Sequence, residues 1–132
     1  MITTPDVQLS QELQELYLEN KEWMSQLLFL EDEYRFFHQL FEARSSEIAK
    51  THTDEELVFV SNNLAELKNQ LVTIKELIEK HQHLLESILK DNQQRIGLAL
   101  LEETSTIATK ITAVFAADLK IKKELFQLIG AK

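Results

Sequence analysis

The chain has 132 residues, a formal net charge of −8, two glycines, one proline and no cysteine. That length suits one hydrophobic core and is short for two ordinary domains, so a single domain over 1–132 is expected. Scarce Gly and Pro, with Leu, Glu, Lys, Gln and Ala dominant, argue against strands and hairpins, and the lack of cysteine excludes disulfides, thiolate metal sites and Cys nucleophiles.

A first helix is predicted near 5–49. Thr4 before Pro5 and Asp6 suits an N-cap with Pro at the first helical position. Leu9, Leu13, Leu16, Trp23, Leu27, Leu30, Tyr34, Phe37, Phe41 and Ile48 then alternate steps of three and four, with Asn20 and Arg44 filling the gaps. That spacing is a heptad seam. A second helix is predicted near 54–90. Thr53 with Glu56 three residues on reads as a capping box, and the seam runs from Leu57 and Val60 through Leu71 and Ile78 to His81, Leu85 and Ile88. A third is predicted near 93–129. Asp91 with Gln94 repeats the capping spacing, Gly130 suits the C-terminal stop, and the seam passes through Leu100, Thr104, Ile107, Ile111, Val114, Asp118, Ile121, Leu125 and Leu128. Carried forward from Leu85, the second seam falls out of phase with the third, which places a turn near 90–93.

Each helix would be about 55–65 Å long at about 1.5 Å per residue, and short turns force neighbours to run antiparallel. The fold class expected is all-α: a long, up-down-up, three-helix coiled-coil-like bundle. This architecture resembles a spectrin-like fold, although Trp23 and "KHQHL" (80–84) do not fall at spectrin spacing. The segment "ENKEWMSQLLFLEDE" (19–33), with Glu19, Glu22, Trp23, Leu27, Phe29 and Glu33, resembles the first helix of a group of short, uncharacterised bacterial helical proteins. That resemblance implies a helical fold and carries no functional residues.

Charge is distributed unevenly. Residues 1–50 hold ten Asp or Glu against four Lys or Arg, residues 51–93 eight against four, and residues 94–132 four against six. An acidic surface repels phosphate backbones and anionic lipid, so neither nucleic acid nor a membrane surface is the expected partner. A basic third helix settling against two acidic ones accounts for the asymmetry. The N-terminus shows no signal-peptide pattern and no stretch reaches the length of a membrane span, so the default address is cytoplasmic.

No catalytic constellation emerges, and a non-enzymatic chain without cofactors is expected. A di-iron bundle site needs Glu-x-x-His pairs, but Arg35, Ala49, Ile78 and Lys80 stand three residues before the four histidines. His38 and Glu42 share a metal-compatible spacing of four, yet two ligands read better as solvated neighbours. "HLLES" (83–87) lacks the Lys and Gly that a phosphorelay histidine uses, and no Gly-rich phosphate loop occurs.

Two features remain. Asn20, His81, Thr104 and Asp118 interrupt the apolar seams and need hydrogen-bond partners if buried. Folding the helices about their turns brings Asn20, His81 and Thr104 to one level, a polar layer that reads as a register lock; His81→Leu should then be neutral or stabilising. Asp118 projects near Lys68 or the Tyr34 hydroxyl. The competing class is a bundle that binds a small ligand or metal through Asn20, His81, Thr104 and His38.

The second feature is "DEYRFFHQLFE" (32–42). Tyr34, Phe37 and Phe41 lie on the seam, whereas Phe29 and Phe36 point about 130° away, with Leu40 on the same side. Ala and Thr in "TIATKITAVFAA" (106–117) would let another helix approach closely. The expected function is therefore a helical protein–protein interaction or scaffold module. It would act as a homodimer or through a partner helix, using Phe29, Phe36, Leu40 and Phe59.

Overall fold

The computed structural model describes residues 5–90 and 97–130, with side chains in the first helix from residue 11. Three helices, α1 (Pro5–Thr51), α2 (Asp54–Lys90) and α3 (Leu98–Ile129), form an all-α three-helix bundle. Every pair of helices is in contact. Leu13 near the start of α1, Leu85 and Ile88 at the end of α2, and Leu100 at the start of α3 form one cluster. α1 and α3 therefore run parallel, with α2 antiparallel to both.

The seams are the core. Trp23, Leu27, Leu30 and Phe37 of α1 pack with Val60 to Ile78 of α2 and with Ile107, Val114, Ile121 and Leu125 of α3. At about 25 cal/mol per Å² of apolar surface buried, these side chains are the main source of stability. Hydrophobic burial, rather than helix propensity, holds helices of this length together.

Local signals set the ends. Between α1 and α2 the Thr53 hydroxyl accepts from the Glu56 amide (3.2 Å) and the Glu56 carboxylate accepts from the Thr53 amide (3.4 Å), a reciprocal capping box. Gly130 adopts the left-handed conformation at φ 76° and its amide donates to the Gln127 carbonyl (3.2 Å). The start of the third helix differs from expectation. Gly97, in extended backbone, is its N-cap and offers no side-chain bond, so α3 begins at Leu98 and not near 93. The Thr4 cap and the Asp91–Gln94 spacing lie outside the described residues, and the Leu9 side chain lies outside the described side chains. No helix among the described residues is long and apolar enough to cross a membrane.

Candidate functional site

The polar interruptions gather into two buried groups. In the first, Asn20 and His81 are fully buried and Thr104 is half-buried. The Asn20 amide nitrogen donates to the Ile78 carbonyl (3.0 Å) and lies 3.1 Å from His81 Nδ1; His81 Nε2 lies 3.0 Å from the Thr104 hydroxyl. The hydrogen positions follow from this network. Thr104 uses its single hydroxyl hydrogen on the Leu100 carbonyl (2.9 Å), so it accepts from His81 Nε2–H. Nδ1 is then the unprotonated nitrogen and accepts from Asn20. His81 is a neutral Nε2–H tautomer that ties α1 to α2 on one side and α2 to α3 on the other. Burial lowers its pKa, while Glu103 pulls weakly the other way. The Trp23 ring, 5.6 Å from the imidazole, closes the layer below.

The second group lies further along α3. Asp118 is buried, and its pKa is pushed up to about 7 by burial first and by the neighbouring Glu33 carboxyl second, with Lys122 opposing. Lys122 bridges to Glu33 at 3.1 Å and lies over the Phe37 ring. The expected partners of Asp118, Lys68 and the Tyr34 hydroxyl, are replaced by Glu33 and Lys122. Glu33 is next to Tyr34 in α1, so the level is the expected one, but the group that meets the aspartate is a second carboxyl rather than a hydrogen-bond donor. One carboxyl oxygen of Asp118 has no partner at all.

The aromatics separate by flank. Phe37 is buried, and Phe41 and Phe115 are half-buried against the core. Phe29 and Phe36 are 56% and 54% exposed, whereas Leu40 of the same face packs partly into the core. Glu33 meets Lys122, and Glu31 meets Lys75 at 3.6 Å, so the side of α1 carrying Phe29, Glu33, Phe36 and Leu40 borders α3. Helical spacing puts Phe115, Leu119 and Phe126 on the facing edge of α3, and Leu119 is also half exposed. Leu119 escaped the sequence reading because it sits one place off the seam beside Asp118. Phe59, expected on the same face, lies elsewhere. It lines a groove of about 690 Å³ with Glu124, Gln127 and Leu128, on the α3 side of α2.

The remaining candidates are local. His38 pairs with Glu42 at 3.2 Å on the surface and stacks on Tyr34. Thr109 and Thr112 return their hydroxyls to the carbonyls of Ser105 and Ala108 in their own helix. A second groove, of about 640 Å³, runs between α2 and α3 along Ala65, Asn69, Thr73, Lys110 and Ala113. Among the described residues no three His, Asp or Glu converge to hold an ion. Compared with protein-family models, curated proteins and solved structures, the chain matches none.

Proposed function

We propose that this chain is a non-enzymatic helical interaction module that self-associates through the flank between α1 and α3. The observation that carries the reading is the half exposure of Phe29, Phe36 and Leu119 along one side of the bundle, a row of large apolar groups that gains by being covered. Phe29, Phe36 and the outer part of Leu40 are its anchors on α1; Phe59 lies on a different flank and is set aside. A bundle binding a small ligand would turn the polar layer toward a cavity. Asn20, His81 and Thr104 instead direct their donors to one another and to backbone carbonyls, which favours interaction over ligand binding.

The test is molar mass by light scattering after size exclusion, across a dilution series, for wild type and Phe36→Glu. A dimer that the substitution converts to a folded monomer is the expected result. A wild-type monomer at every concentration would remove self-association as the function.

A further inference from the structure

The flank is chemically lopsided. On its α1 side, Glu12, Glu15, Glu19 and Glu22 lead up to Phe29, Glu33 and Phe36. On its α3 side, helical spacing aligns Leu98, Leu101, Phe115, Leu119 and Phe126, with Lys122 as the charged member and no carboxylate. Leu98 and Leu101 are 72% and 50% exposed, a second apolar pair at the start of α3, separated from the aromatics by Ser105, Ala108 and Thr112. The complement of an acidic helix edge beside an apolar one is an apolar edge free of carboxylates. The chain possesses such an edge on α3 itself, a helix of no net charge whose Lys122 is already bridged to Glu33 of its own chain.

We infer that the occupant of this flank is a second copy related by a two-fold axis parallel to the helices, so that α1 of each copy packs on α3 of the other. This inference rests on the self-association proposed above and adds its geometry. A face-to-face two-fold axis must lie in the interface, either along the helices or across them. An axis across the helices at the level of Phe29 and Phe36 packs α1 on its own copy. Glu33 then opposes Glu33, and Glu19 opposes Glu47, juxtapositions that cost affinity. An axis along the helices sets the glutamate edge against an edge that has no carboxylate. Because α1 and α3 are parallel and Glu33 is level with Asp118 and Lys122, it also brings Phe29 and Phe36 to the height of Phe115 and Leu119 in the second copy.

The absence of native cysteine allows a direct test in the full chain. Glu22→Cys protein is mixed with differently tagged Thr112→Cys protein and treated with a short bis-maleimide; Glu22→Cys mixed with Arg44→Cys is the opposing pair. Positions 22 and 112 approach across the interface only when the axis runs along the helices, and 22 and 44 only when it runs across. The expected result is a cross-linked 22–112 heterodimer as the main species, lost when Phe36→Glu is added to both proteins. A 22–44 product in a chain that is dimeric by light scattering would overturn the parallel geometry and leave self-association standing. A monomer with neither product would overturn both.

Discussion

His81 carries the sharpest consequences at the scale of single residues. Its replacement by Leu, neutral or stabilising on sequence grounds, takes a different value once its neighbours are known. Thr104 keeps its bond to Leu100, but Asn20, fully buried, loses the acceptor for one amide hydrogen. Stranding that donor costs about 1–3 kcal/mol. His81→Leu should therefore destabilise by that amount in urea titration, and the double change Asn20→Leu, His81→Leu should recover most of it. Protons act on the two buried groups in opposite directions. The pKa of His81 is lowered on folding, so its contribution is complete above the unfolded value of 6.5 and is lost as pH falls below it. Asp118 is raised from 3.8 to about 7, so its contribution is complete below 3.8 and is lost as pH rises toward 7. Asp118→Asn should accordingly flatten the decline of stability between those values and make the protein more stable than wild type at pH 8. An unchanged slope would show that Asp118 does not titrate there. The polar layer was legible in the sequence because each member breaks a seam. The Asp118 environment was not, since two carboxyls sharing one site contradicts the rule that charges seek opposite partners.

Among the elements, the two helix starts with contrasting caps make paired predictions. Thr53→Ala removes the hydroxyl that accepts from the Glu56 amide and should cost about 1 kcal/mol in thermal unfolding. Gly97, with φ −99° and open space around an added Cβ, tolerates a side chain, and the first turn of α3 holds no acidic residue. Gly97→Asp supplies both a cap and a favourable charge, and should raise stability by about 0.5–1 kcal/mol; a loss would mean that the added side chain cannot reach the first-turn amides. The extents of α1 and α2 were readable within two residues because Pro5, the Thr53 capping box and unbroken seams coincide. The start of α3 was not, because its N-cap, Gly97, has no side chain to announce it. Flank assignment failed for Phe59 for a related reason: period alone shows that a residue leaves the seam, not which neighbour it then borders.

For the molecule as a whole, if two bundles associate through the α1–α3 flank, the melting temperature should rise with protein concentration, and Phe36→Glu should abolish that dependence. Folding kinetics extend the consequence of the polar layer. Asn20, His81 and Thr104 come from three different helices, so their hydrogen-bonded chain is complete only once α3 has docked on the α1–α2 pair. Interactions that mature after the folding barrier leave the refolding rate almost unchanged and slow escape from the native basin. Weakening the chain by about 1.4 kcal/mol should thus speed unfolding about tenfold while the folding arm of the chevron stays in place. A buried histidine that adds little to the speed of assembly would then set how long the assembled bundle lasts.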